Sequence, residues 1–140
     1  MADQFPSRSN CPINYALESF GDKWTLLIIR DLLFNAKQSF GELLISPEKI
    51  STHILTDRLK SLEAIGIISR EVCADNRSKC VYSLTAKGRD LLPIMLEITQ
   101  WSARHYAEVS TPKAFLKRLD EDKAGVIRQI KAMWEDQQKP

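Results

Sequence analysis

The sequence predicts a mainly α-helical chain carrying one small β-hairpin. Three observations predict it. Apolar residues recur at three- and four-residue steps through most of the chain; serines, threonines and prolines that start helices stand just before those runs; and one stretch, 67–84, breaks instead into two β-branched and aromatic runs around a polar turn.

The first helix is expected over Pro12–Phe20, where Ile13, Ala16, Leu17 and Phe20 keep helical spacing. Pro12 sits in its first turn, where a missing N–H costs nothing. After Gly21 a second helix over 22–34 places Trp24, Leu27, Ile28, Leu32 and Leu33 on one stripe, with Asp22 able to cap it. Ser39-Phe40-Gly41-Glu42 fits the S-x-x-E capping box, so a short helix through Leu44 follows. Ser46-Pro47-Glu48-Lys49 breaks the pattern, Ser51 caps a fourth helix over Thr52–Ala64, and Gly66 ends it.

Residues 67–73 and 80–84 read as the two arms of a hairpin, separated by a polar turn over 74–79. If Asn76 and Arg77 form the turn centre, Cys73 and Cys80 face each other near disulfide range. Thr85 caps a further helix whose stripe is Leu91, Leu92, Met95, Ile98 and Trp101, and Pro93 predicts a kink or a later start. Thr111-Pro112 begins a last helical segment that runs through Leu119, Val126 and Ile130 to Trp134, with a break expected at Gly125. The order helix, helix, helix, helix, hairpin, helix, helix is that of a winged helix-turn-helix.

Composition narrows function. A chain of 140 residues with 44% hydrophobic content fits one core, and no apolar run approaches the roughly 18 residues of a membrane span. The first ten residues lack a secretory apolar stretch, so a cytoplasmic protein is expected. Three cysteines, Cys11, Cys73 and Cys80, fit neither a disulfide framework nor a zinc site. A net charge of +2 is too small to argue for a polyanionic partner by itself, so any nucleic-acid case rests on pattern. Catalysis needs converging groups, and the two histidines, His53 and His105, lie on separate helices without a metal-binding motif or a glycine-rich phosphate loop. Neither an enzyme nor a metal or other cofactor is expected.

The fourth helix carries the functional expectation. At about 100° per residue Leu55, Leu59 and Leu62 fall on one side, and His53, Thr56, Asp57 and Lys60 on the other. A helix that buries one face and offers polar groups on the other suits a DNA major groove about 12 Å wide. Ser51, Thr52, His53, Thr56, Asp57 and Lys60 are therefore the candidate DNA-reading residues, Asp57 accepting from a cytosine amino group or orienting a neighbour. Arg58, beside the apolar face, is expected to pair with Glu42 or Glu63. Ser39, at a helix start rich in free N–H groups, and Arg77 and Lys79 at the hairpin tip are candidates for backbone phosphates.

Cys11-Pro12, Gly21-Asp22-Lys23-Trp24-Thr25-Leu26-Leu27-Ile28, Phe40-Gly41-Glu42-Leu43, Leu55-Thr56-Asp57-Arg58-Leu59 and Tyr82-Ser83-Leu84-Thr85-Ala86-Lys87-Gly88, in this order and at these separations, resemble the HxlR family of bacterial regulators over about residues 11–105. The resemblance implies a winged helix-turn-helix homodimer on a palindromic operator in double-stranded DNA, with its first helix and the helices after the wing forming the subunit interface. Ile13, Leu17, Ile94, Ile98 and Trp101 are the expected interface residues. Residues 1–10 would form a flexible N-terminus, 11–106 the winged domain with its dimerisation helices, and 111–138 a helical extension beyond the shared region. Some family members sense oxidants or electrophiles through the cysteine before this proline, which makes Cys11 a candidate sensor; a helix start also favours the reactive thiolate. The effector is open, and the rival reading is a winged-helix module that binds proteins, since fold alone does not fix function.

Overall fold

The computed structural model describes residues 8–73 and 76–137, with backbone alone at 73, 76–79 and 137. The chain forms two compact units, Met1–Arg89 and Asp90–Pro140. The first contains α1 (Pro12–Phe20), α2 (Thr25–Phe34), α3 (Phe40–Leu44), α4 (Thr52–Ala64), β1 (Ile68–Cys73), β2 (Asn76–Leu84) and α5 (Ala86–Arg89). The second contains α6 (Leu92–His105), α7 (Lys113–Glu121) and α8 (Lys123–Gln137).

The helix boundaries follow the capping chemistry. The Asp22 carboxylate accepts from the N–H groups of Trp24 and Thr25 at 3.0 and 3.1 Å and so closes the turn that leads into α2, whose N-cap is Trp24 and which starts at Thr25 and not at residue 22. Ser39 and Glu42 form the complete capping box of α3. Gly66, at φ +80°, turns the chain out of α4 in the left-handed conformation that suits glycine. Pro93 gives a later start and not a kink: α5 stops at Arg89 and α6 begins at Leu92 with the proline in its first turn. The tail breaks at Asp122, three residues before the expected glycine, because the Asp122 carboxylate accepts from the Gly125 N–H at 3.0 Å and caps α8.

β1 and β2 pair antiparallel from Ile68 opposite Leu84 to Val72 opposite Cys80. The register then shifts, and Cys73 pairs with Asn76, so Cys73 and Cys80 are not cross-strand partners. This corrects the expected opposition of the two cysteines: β2 starts at Asn76, so residues 76–79, expected in the turn, lie in the strand and take up the register shift. The Gln38 carbonyl accepts from the Tyr82 N–H at 2.8 Å, tying the entrance of α3 to the hairpin.

The core of the first unit gathers Ile28, Ile29, Leu32 and Leu33 from α2, Leu43 from α3, Leu55, Leu59 and Leu62 from α4, and Ile67 and Ile68 at the start of the hairpin. Buried Asp31 is satisfied by Arg30, Asn35 and Lys37, and Arg30 also forms a two-pronged bond to Glu48 at 2.8 and 2.9 Å. In the second unit, α6 packs against α7 and α7 against α8 around Leu92, Leu96, Leu119 and Val126, and Gln100 donates to Asp120 at 2.8 Å. Among the described residues no helix is long and apolar enough to cross a membrane.

Candidate nucleic-acid interface

α4 is held on three sides of its chemistry. Ser51 caps its start by accepting from the Ile54 N–H at 3.2 Å, Leu55, Leu59 and Leu62 are buried beneath it, and Gly66 ends it. The opposite face is left bare. Ser51, Thr52, His53, Asp57 and Lys60 are exposed, and Thr56 is half-buried, its hydroxyl donating to the Thr52 carbonyl at 2.8 Å. From Thr52 to Lys60 this stripe runs eight residues, about 12 Å at 1.5 Å per residue, which is the width of the major groove. His53, Thr56, Asp57 and Lys60 share the face away from the leucines, and Ser51 and Thr52 are exposed at the start of the helix.

Its charges are ordered by Arg58. Arg58 donates through Nε to Asp57 at 3.1 Å and through Nη2 to the same carboxylate, while Nη1 lies 3.5 Å from Asp22. The expected partners Glu42 and Glu63 are spent elsewhere, Glu42 in the capping box and Glu63 beside Arg70 at 3.8 Å. The hydrogen bond and charge of Arg58, with lesser help from His53 and Lys60, hold the Asp57 carboxyl below its ordinary value. Burial pushes Asp22 up, but the Thr25 hydroxyl, the N–H groups of Trp24 and Thr25 and the Arg58 charge outweigh it, so this carboxyl too stays ionised further into acid. Asp57 is therefore an oriented acceptor, and Lys60 is exposed without a hydrogen bond or ion pair among the described residues.

Ser39 is placed differently from that strip. Its hydroxyl donates to Glu42 Oε1 at 3.0 Å and accepts from the Glu42 N–H at 3.1 Å, and the same carboxylate takes the N–H groups of Gln38 and Ser39. Those bonds, led by the one from Gln38, hold the Glu42 carboxyl below its usual value. A fixed negative charge at this helix start competes with a phosphate there. The side chains of Arg77 and Lys79 lie outside the described residues.

Cys11 is an exposed free thiol at the position that precedes α1. On α1, Ile13 and Leu17 are 71% and 55% exposed, one turn apart on one face. On α6, Ile94, Ile98 and Trp101 follow at steps of four and three, and Trp101 is 61% exposed, its ring 5.2 Å from that of His105. Each helix thus leaves a run of large apolar side chains in water. Among the described residues no group of three or more histidine, cysteine or acidic side chains could hold a metal ion.

Sequence reasoning missed the Asp22–Arg58 pair and a bond from Lys87 to Tyr15. The signal for both is absent from any local window: the partners stand 36 and 72 residues apart in the chain.

Comparison with known proteins gives a family model described as HxlR-like helix-turn-helix, matching residues 19–110. An uncharacterised HTH-type transcriptional regulator of Synechocystis, sll1512, is 35% identical over 104 residues, covering 71% of this chain and 76% of its own length. The reduced form of the transcriptional regulator YodB from Bacillus subtilis superposes with a TM-score of 0.58 at 31% identity, over 70% of this chain and 96% of its own. The redox regulator HypR in its reduced form gives a TM-score of 0.59 at 35% identity, over 67% and 92%.

Proposed function

The chain belongs to the HxlR-like helix-turn-helix family, and from that premise we propose that it is a sequence-specific DNA-binding transcriptional repressor acting as a homodimer on a palindromic operator. The observation that carries the reading is the bare strip of α4, from Ser51 to Lys60, on a helix whose leucines fix it to the core. Hydroxyl, imidazole, carboxylate and ammonium groups in one row supply both donors and acceptors to base edges. The regulators it resembles support a role in transcription, and the apolar runs on α1 and α6 support a second copy as the partner, since an isologous contact is the commonest way to cover such surface.

The resemblance to YodB, also solved with quinone bound, and to the redox regulator HypR supports a thiol switch in this chain. Cys11, accessible at the head of a helix that carries exposed Ile13 and Leu17, is the thiol whose modification would disturb the dimer most directly.

Selection of bound sequences from random duplexes, with and without oxidant, tests the reading. The expected outcome is a symmetric site with half-sites about one helical turn apart and steeply salt-dependent binding, because neutralised phosphates release counterions. Weak, salt-insensitive binding without an enriched sequence would favour a protein-binding module instead. Oxidant should release the wild-type protein and spare Cys11→Ser; equal release of both would remove Cys11 from the switch.

A further inference from the structure

The three carbonyls that follow α4 are all taken by one short stretch, Thr85 to Gly88. Lys87 Nζ donates to the Ile65 carbonyl at 2.8 Å. The Thr85 hydroxyl reaches the Gly66 carbonyl and, at 3.0 Å, that of Ile67, which also accepts from the Thr85 N–H at 3.0 Å. Gly88 permits the approach: a Cβ there would stand 2.3 Å from the Ile67 oxygen. Carbonyls at a helix C-terminus carry partial negative charge and lack helical partners, so a cation on one of them is well placed.

The same ammonium reaches a third element. Lys87 Nζ donates to the Tyr15 hydroxyl at 2.8 Å and lies 5.5 Å from the centre of its ring. Tyr15 is on α1, and its own N–H donates to the Cys11 carbonyl at 3.0 Å. One side chain therefore links the end of the reading helix to the helix that begins at Cys11 and exposes Ile13 and Leu17.

We propose that Lys87 is a positioning residue for DNA recognition, tying the C-terminal end of α4 to α1 so that the placement of α1 sets the placement of the reading helix. The proposal rests on the DNA-binding reading given above. Without the ammonium, the Ile65 carbonyl loses this donor to water and the Tyr15 hydroxyl loses its link to the end of α4. The strip of α4 is unaltered, but its alignment with base edges is no longer held.

Lys87→Met keeps the aliphatic stem and removes the charge, and Tyr15→Phe keeps the ring and removes the acceptor. Both are compared in the full-length chain with wild type and with Lys87→Arg, by affinity for the selected operator and for a random duplex of equal length, and by backbone hydrogen exchange. Random-duplex binding should stay level, whereas operator affinity should fall about tenfold in Lys87→Met and less in Tyr15→Phe, with Lys87→Arg recovering part of it. Exchange in 60–65 should quicken in both variants. Unchanged operator affinity in both, or an equal fall on the random duplex, overturns the proposal; if Lys87→Met does not fold, Tyr15→Phe decides. A wild-type chain that prefers no duplex defeats the DNA-binding reading instead, and the exchange arm then still judges the link, unaltered protection at 60–65 in the variants being fatal to it.

Discussion

Replacing Lys60 by alanine removes the ammonium at the far end of the exposed strip of α4, about 12 Å from Thr52, where a helix seated in the major groove meets its phosphate wall. Lys60 is exposed and forms no hydrogen bond or ion pair among the described residues, while Arg58 already neutralises neighbouring Asp57, so the Lys60 charge is available to DNA. One neutralised phosphate contributes about −0.9 to the slope of log affinity against log salt, and a dimer presents two copies of Lys60, giving about −1.8. Between 50 and 200 mM salt that slope is worth about 12-fold, so the variant should lose about 12-fold less affinity than wild type over this range. At the low-salt end it should bind the operator more weakly by about 1 to 3 kcal/mol. Fluorescence anisotropy titrations of a labelled operator at four salt concentrations measure both quantities. Parallel lines would take Lys60 off the phosphates, and superimposed lines both here and for His53→Ala would remove the reading helix from the interface.

Three further outcomes are expected. Gly88→Ala forces a Cβ to within 2.3 Å of the Ile67 oxygen and 2.8 Å of the Leu84 side chain; overpacking of this kind costs about 2 kcal/mol, and a fall in Tm of roughly 10 °C by calorimetry should report it, an unchanged Tm refuting the close approach. Asp22→Asn should flatten the acid limb of stability: the carboxyl is held below its ordinary 3.8, so its contribution is present above that pH and lost as pH falls through the depressed folded value. Urea denaturation should therefore show the variant less stable near neutrality and level with wild type in strong acid; a constant gap at every pH would contradict the linkage. Ile98→Asp sets a charge on the exposed apolar face of α6, and burying it unpaired in a subunit contact costs about 3 kcal/mol per subunit, so with two copies per dimer the dissociation constant by sedimentation should rise about 10,000-fold. An unaltered constant would exclude α6 from the interface.

How much of this was legible in the sequence depends on how far apart the cooperating residues stand. α1, α3 and α4 begin and end where the local signals place them, because Pro12, the Ser39–Glu42 box, Ser51 and Gly66 each act within one turn of the backbone they satisfy. The break falls at Asp122 and not at Gly125 for the same local reason: the glycine is the third residue of α8, and the aspartate before it supplies the cap. For Arg58 the sequence offers Glu42 and Glu63, whereas the folded chain gives it adjacent Asp57 and, from the turn before another helix, Asp22, a contact that only folding creates. α1 exposes the limit most sharply. Ile13 and Leu17 make a helical stripe, but they face outward, while polar Asn14 is buried and accepts from Arg8 at 2.7 and 3.1 Å. Periodicity reveals that a stripe exists and is silent on whether its cover comes from the same chain or from another.

That ambiguity bears on the site itself. Polar groups on α4 cost nothing in water, so their exposure alone creates no demand for a partner. The demand comes from the apolar runs, since each isoleucine or leucine gains about 1.5 to 3 kcal/mol on full burial, and Ile13, Leu17, Ile94, Ile98 and Trp101, between 41% and 71% exposed, forgo about half of that in a lone chain. A second copy would satisfy it and, by symmetry, would bring a second α4. Once one reading helix is seated, the other binds at an effective concentration fixed by the dimer, so affinity for a two-part site multiplies where a single helix would be weak. The operator affinity of Ile98→Asp should consequently fall although every side chain of α4 is intact, and binding to an isolated half-site should be spared.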